Sequence, residues 1–188
     1  MPRLPPITAA DLNAEQRVVL DAIQAGPRGA MGLAGPFGVY VRAPAVGQAA
    51  QALGAAVRFG TLLEETLREI AICTVGAHFR AKFEFAAHAE LALRAGVAPA
   101  VVEALRLRQM PVFVDEAEGT VHAIATALLV DHRLDDALHD RGMALLGQTR
   151  MIELVTTVGY YCLVSLTLNA FEVPLEDGMV DPFPDLPG

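Results

Sequence analysis

Residues 67–97 read "LREIAICTVGAHFRAKFEFAAHAELALRAGV", and this stretch decides the fold. Its first part carries apolar residues at helical spacing, among them Leu67, Ile70 and Val75. Its second part repeats a helical pattern and closes at Gly96, a residue that commonly follows the end of a helix. We therefore predict two consecutive helices here.

Helical patterns continue on both sides of this stretch. Asn13 and Gln16 can form a capping box at the start of a helix that Gly26 would end. Pro44 suits the first turn of the next helix, which would run to Gly60. Four further helical patterns follow residue 97, and the last two meet at Gly147. No segment alternates with period two for long, so we predict an all-α chain with roughly seven or eight helices.

Two segments lack a helical pattern. Residues 26–44 are rich in Gly and Pro, and an irregular stretch that long is usually functional or disordered. The apolar cluster from Phe37 to Val41 predicts that at least its second half packs against the protein. Residues 177–188, again rich in Pro, predict an extended C-terminal arm.

The size and charge of the chain limit its possible functions. A length of 188 residues, 53% of them hydrophobic and 19% charged, predicts one folded domain. The net charge of -8 and the scattered arginines argue against a nucleic-acid partner. The start of the chain lacks the apolar core of a secretory signal, and we therefore expect a cytoplasmic location.

Three further features are expected to be structural. The apolar segment 152–171 is almost long enough to span a bilayer, but it contains Glu153 and lacks flanking basic residues, which favours a buried central or interface helix. Cys73 and Cys162 are far apart and flanked by apolar residues, so we interpret them as buried small side chains. The surface histidines are expected to be His122, His132 and His139.

Glu84 and His88 lie four residues apart, on one face of the second predicted helix. Such a pair can be a solvated ion pair on the surface, or it can belong to a catalytic or binding site. Histidine has the intrinsic pKa of a proton donor near neutral pH, and Glu84 could hold its imidazole in one tautomer. The pair could also bind a metal with a third ligand from Glu69 or His78, although no HExxH zinc motif is present.

Three stretches together resemble a known family: "GPFGVYVRAP" (35–44), residues 67–97, and the block from "LLVDHRLDD" to "LNAFEVPLE" (128–176). They resemble the carboxymuconolactone decarboxylase-like proteins, in the superfamily that includes alkyl hydroperoxidase D. The resemblance implies a single-domain helical bundle over residues 1–188, with a core at 35–176. It also implies self-association as a dimer, trimer or hexamer, with the active site beside subunit contacts.

The peroxidase branch of this superfamily carries a Cys-x-x-Cys pair that is missing here. Aligning its motif on His88 places the two thiols at Ala81 and Glu84 and its conserved acid at Glu69. Hydroperoxide reduction needs an attacking thiolate and a resolving thiol, which Ala and Glu cannot supply. We therefore expect no thiol peroxidase activity of this kind, although an antioxidant role stays open as an alternative.

The decarboxylase branch implies a cofactor-independent carboxy-lyase acting on a small carboxylated or lactone-like molecule. In that reading His88 donates a proton, Glu84 orients it and Glu69 completes a relay. A non-catalytic protein that binds a small ligand on the same scaffold is the other alternative. The residues expected to contact a substrate are Arg42 and Arg80 through its carboxylate, His78, and the apolar walls Phe37, Phe83 and Phe85.

Overall fold

The computed structural model describes residues 2–185, and within that range the chain is helical and contains no strand. This confirms the all-α fold and the expected number of helices. Two short 3-10 helices, Ala9–Asp11 and Gly29–Met31, accompany the α-helices. The α-helices are α1 (Ala14–Ala25), α2 (Phe37–Tyr40), α3 (Pro44–Phe59), α4 (Glu65–Phe79), α5 (Lys82–Ala95), α6 (Pro99–Arg106), α7 (Glu116–Val130) and α8 (Asp136–Ala170).

The N-terminal helices form a small apolar cluster of their own. The predicted capping box is present at α1, where the Gln16 amide donates to the Asn13 side chain at 2.9 Å and the Gln16 side chain accepts from the Asn13 amide at 3.1 Å. Helices α1, α2 and α3 then pack together around buried residues such as Ile23, Phe37 and Val41. The second half of the Gly- and Pro-rich segment therefore packs down, as expected.

Helix α4 occupies the centre of the larger cluster and packs against α5, α6, α7 and α8. Every residue from Leu67 to Ala77 is buried, whereas the sequence pattern predicted a single apolar stripe. Fully buried side chains such as Ile70 and Ile72 contribute about 1.5–3 kcal/mol each. Glu69 lies in this run, so the core must provide partners for its charge.

A tight turn folds α5 back onto α4. Arg80 ends α4 in the left-handed region (φ 49°), and the Ala81 amide donates to the Gly76 carbonyl at 2.9 Å. A Cβ at Gly76 would lie 3.4 Å from the Phe85 backbone, so the absence of a side chain there lets the two helices approach closely. This close pairing places the acidic residue of α4 beside the histidine of α5.

Helix α8 is long and apolar, and it bends at Gly147, whose backbone is not helical (φ 72°, ψ 168°). The two halves correspond to the two helices predicted on either side of that glycine. By length and mean hydropathy (1.5) α8 could span a membrane, and half of its most apolar window is buried inside the protein. A buried core helix passes the same test, so the expected cytoplasmic location and absence of a membrane partner stay predictions.

The C-terminal segment contains no helix from residue 177 to residue 185, but it folds back onto the chain. Phe183 is buried against Phe85, with ring centroids 5.4 Å apart. Asp181 pairs with Lys82 at 2.8 Å, and the Pro182 carbonyl accepts from Arg106 at 2.9 Å. The predicted arm therefore packs on its own domain over these residues, and its last three positions, 186–188, lie outside the described range.

Candidate active site

Three ionisable side chains expected in the acid–base site meet inside the protein. Glu69 comes from α4, and Glu84 and His88 come from successive turns of α5. Their exposed fractions are only 0%, 3% and 5%, respectively. Buried charged groups are strongly destabilising unless they are paired, and here each can pair with another member of the group.

His88 is held between the two carboxylates through both ring nitrogens. Its Nδ1 lies 2.5 Å from Glu69 Oε2, and its Nε2 lies 3.1 Å from Glu84 Oε1. The first contact is a hydrogen bond that the protonated Nδ1 donates. The second contact pairs the other ring nitrogen with a carboxylate oxygen that is itself buried. Both carboxylates therefore act on the charge of the imidazole.

The surroundings of His88 keep it charged. Burial by itself lowers the pKa of His88, but the negative charges of Glu69 and Glu84 and the hydrogen bonding to them outweigh burial and raise the pKa to about 9. Burial raises the pKa of Glu69, but the positive charge of His88 and its hydrogen bond bring that pKa below its ordinary value. Near pH 7 the pair is therefore an imidazolium and a carboxylate.

A cavity of about 250 Å³ opens on Glu84 and His88. Glu69 does not line it and therefore contacts His88 from behind. Phe37, expected as an apolar wall, and Phe83 both line the cavity. Its volume is slightly below the range of about 300–1,000 Å³ that is usual for ligand pockets, which favours a small molecule.

Two tyrosines of α8 complete the wall beside His88. The ring of Tyr161 meets the imidazole edge to face at 5.0 Å, and the rings of Tyr160 and Tyr161 are 5.2 Å apart. Burial raises the pKa of both phenols, so both stay protonated over the physiological range. They are therefore neutral O–H groups beside the cavity.

Two arginines that the sequence did not single out line the same cavity, Arg28 and Arg58. The Arg28 guanidinium lies 5.0 Å from the Phe37 ring centroid and donates to the Gln51 carbonyl at 3.1 Å. The Arg58 guanidinium, from α3, lies 5.1 Å from the Phe59 ring centroid. These two side chains add positive charge to the cavity beside that of His88.

The arginines expected to bind a carboxylate, Arg42 and Arg80, do not line this cavity, which corrects the expectation. Arg42 donates to the backbone carbonyls of Gly38 and Pro5 and borders a separate, larger groove. Arg80 pairs with Asp185, because its left-handed position at the end of α4 directs it toward the C-terminal segment. Both guanidiniums are therefore engaged in holding the chain together.

His78 and Phe85 also lie outside the cavity, contrary to expectation. His78 is in the last turn of α4, where it lines a separate cavity of about 210 Å³ together with His122. Phe85 points into the core and packs on Phe183. The prediction that His122 is on the surface is wrong, because it is buried against Phe113 with ring centroids 5.5 Å apart.

The two cysteines lie outside the acid–base cavity. Cys73 is fully buried in α4 and Cys162 is partly buried in α8, and both thiols are free. Burial raises the pKa of both thiols, so little reactive thiolate forms at neutral pH. Within residues 2–185, no group of three or more His, Cys, Asp or Glu side chains is arranged so that it could hold a metal ion.

Comparison with known proteins adds no family to these observations. The chain matches no protein-family model and no curated protein sequence. Function is therefore inferred from the residues that surround the cavity.

Proposed function

We propose that this protein is a cofactor-independent acid–base enzyme that decarboxylates a small carboxylated or lactone-like molecule, or performs a related proton transfer. The observation that carries the proposal is the position of His88, ion-paired between two buried glutamates and facing a small cavity. The resemblance to carboxymuconolactone decarboxylase-like proteins suggests the same chemistry.

The charge state of His88 suits a proton donor. Loss of CO2 from carbon leaves an electron pair there that delocalises onto a neighbouring carbonyl oxygen, and a proton must then be delivered to the carbon. With a pKa of about 9, His88 carries that proton almost completely at pH 7, so the site favours general acid over general base catalysis. Glu69 holds Nδ1 and thereby fixes the ring, which leaves Nε2 as the donating atom.

A neutral hydroxyl group near His88 could stabilise the charge that develops on the carbonyl oxygen. Tyr161, whose ring meets the imidazole of His88, lines the cavity with a protonated phenol. A preorganised O–H donor in a partly desolvated cavity stabilises an oxyanion more effectively than water does. This arrangement supports a reaction that passes through an enolate.

The experiment that tests the proposal measures turnover of a panel of carboxylated lactones and small carboxylic acids in D2O. We expect the product carbon to gain one deuterium and His88→Ala to lower kcat by about 10²–10⁴-fold, the usual contribution of a general acid. Glu90→Gln is the matched control, because Glu90 is exposed on the same helix. Equal turnover by wild type and His88→Ala would refute the acid–base role.

Two alternatives predict other results in the same panel. A non-catalytic ligand-binding protein would be stabilised by a panel compound, without converting it, in wild type and in His88→Ala alike. A thiol-dependent antioxidant protein would lose hydroperoxide reduction in Cys73→Ala or Cys162→Ala, an outcome that the raised pKa of both thiols disfavours.

We also infer self-association through α8. Four apolar side chains, at positions Ile152, Val155, Leu163 and Leu166, are each more than 40% exposed on this helix and recur at helical spacing. A second copy of the chain could cover this stripe with its own. Leu166→Glu should then lower the molar mass measured by light scattering, whereas Val18→Glu, an equally exposed apolar position on α1, should not.

A further inference from the structure

Two guanidinium groups converge on the acid–base cavity, and neither is neutralised. Arg28 and Arg58 both line the cavity, and both guanidiniums lie near the ring of Phe59, at 5.9 Å and 5.1 Å from its centroid. Other arginines in the chain form ion pairs, but over residues 2–185 neither of these two has a carboxylate within 4.0 Å. Neither guanidinium is therefore in ion-pair contact, although Glu84 and Glu176 line the same cavity.

Part of their hydrogen-bonding capacity is also unused. Arg58 Nε is buried and has no hydrogen-bond partner among the described residues. Arg28 donates to the Gln51 carbonyl through Nη1, and its Nη2 lies near the backbone of Gly54. Burial lowers the pKa of Arg28, and the nearby positive charge of Arg58 acts in the same direction. Two partly desolvated like charges are unfavourable together unless an anion joins them.

A glycine makes room for this arrangement. A Cβ at Gly54 of α3 would lie 2.1 Å from Tyr160 Oη and 2.6 Å from Arg28 Nη2, so both groups reach the same point of the helix backbone. The phenol hydroxyl and the guanidinium are therefore neighbours. A planar carboxylate accepts hydrogen bonds from such a cluster in the same way as it does from an arginine fork.

We propose that Arg28, Arg58 and the hydroxyl of Tyr160 form a carboxylate-binding subsite, and that the carboxylate held there stays on the substrate throughout the reaction. The first part stands on the geometry of the cavity, while the second part rests on the proposed function. The substrate class is then a small molecule with an anionic group in addition to the group that reacts.

The argument for a retained carboxylate is one of charge. A carboxylate that leaves does so as neutral CO2: its bond to carbon breaks, the electron pair stays on that carbon and its carbonyl neighbour, and the proton of His88 Nε2 then forms the new C–H bond. His88 recovers a proton from water. Cations bound to the departing group would stabilise the substrate more than the transition state and would slow the reaction. Two arginines are therefore better placed on a charge that does not change.

The test uses benzoate and its uncharged analogue benzamide as probes, with titration calorimetry at pH 7. We expect wild type to bind benzoate more tightly than benzamide, and Arg58→Gln and Arg28→Gln each to weaken benzoate by at least about tenfold without changing benzamide. Arg58→Lys should restore part of the preference. Arg94→Gln is the matched control, because it removes one positive charge from an exposed position on α5.

One result with the wild-type protein alone would overturn the proposal. In that result wild type binds benzoate no more tightly than benzamide, or binds neither compound. A loss in Arg28→Gln and Arg58→Gln no larger than in Arg94→Gln would overturn it as well. His88→Gln separates the two proposals. If this variant no longer turns over a compound of the panel but still prefers benzoate to benzamide, both proposals hold. If turnover survives while the preference for benzoate depends on the two arginines, the subsite stands and the acid–base role of His88 fails.

Discussion

Raising the pH from 7 to 9 should destabilise this protein through His88. The pKa of His88 is about 9 in the folded chain and about 6.5 when the group is unperturbed. Between these values the folded chain keeps a proton that the unfolded chain has released, so the extra stability is complete below pH 6.5 and is lost as the pH rises through about 9. The difference between these two pKa values corresponds to about 3 kcal/mol in the free energy of unfolding, at about 1.4 kcal/mol per pH unit. About 2 kcal/mol of this should disappear between pH 7 and 9.

The assay is urea unfolding of wild type and His88→Gln at pH 6, 7, 8 and 9. The thiols of Cys73 and Cys162 also make the protein less stable as the pH rises, because burial raises their pKa in the folded chain. Both proteins contain these thiols, so the difference in pH dependence between them isolates His88. NMR titration of the imidazole gives an independent value, and in Glu69→Gln its pKa should fall, since the charge of Glu69 is the strongest attraction on it.

Two results would refute this reasoning. Equal pH dependence in wild type and His88→Gln would mean that the folded state gains nothing from holding the proton. An imidazole that titrates at or below pH 6.5 would mean that burial outweighs the two carboxylates. In either case His88 would not be charged at neutral pH, and the proton-donor role would lose its basis.

Three further outcomes are expected. Gly54→Ala should lower the free energy of unfolding by about 1–3 kcal/mol, since its Cβ would collide with a cavity-lining phenol, whereas Gly159→Ala, with open space around it, should be neutral or stabilising in the same urea titration. Phe183→Ala should cost about 3–5 kcal/mol because its ring is buried, whereas Val180→Ala, 82% exposed, should change the urea midpoint little. Cys73 should resist iodoacetamide until urea unfolds the chain, as followed by mass spectrometry, and rapid modification of the native protein would contradict its burial.

The helices could be predicted because their signals are local. The capping box of Asn13 and Gln16 and the glycine that ends α1 involve neighbours in the chain, and both appear as expected. The pairing of Glu84 with His88 was visible for the same reason, since one helical turn sets their separation. The place of Glu69 in an acid–base relay came from the resemblance, because its contact with His88 depends on how α4 and α5 pack.

The arginines of the cavity could not be predicted in this way. Arg28, Arg42, Arg58 and Arg80 are equally basic in the sequence, and what distinguishes them is the partner that each finds after folding. Arg42 and Arg80 meet backbone carbonyls and an aspartate, whereas the other two face the cavity. These partners come from segments distant in sequence, so no local pattern identifies them.

The position of Glu69 behind His88 is compatible with both proposals, that the cavity keeps a proton and that it admits an anion. Two carboxylates beside an imidazole keep it charged, but the same negative charges would repel a carboxylated substrate. Glu69 does not line the cavity, so its attraction acts on His88 while its charge lies farther from a ligand. Glu84 and Glu176 do line the cavity, but Arg28, Arg58 and the protonated His88 outnumber them. Proton retention and anion binding are thus assigned to different side chains, and substitutions in one set should leave the other function measurable.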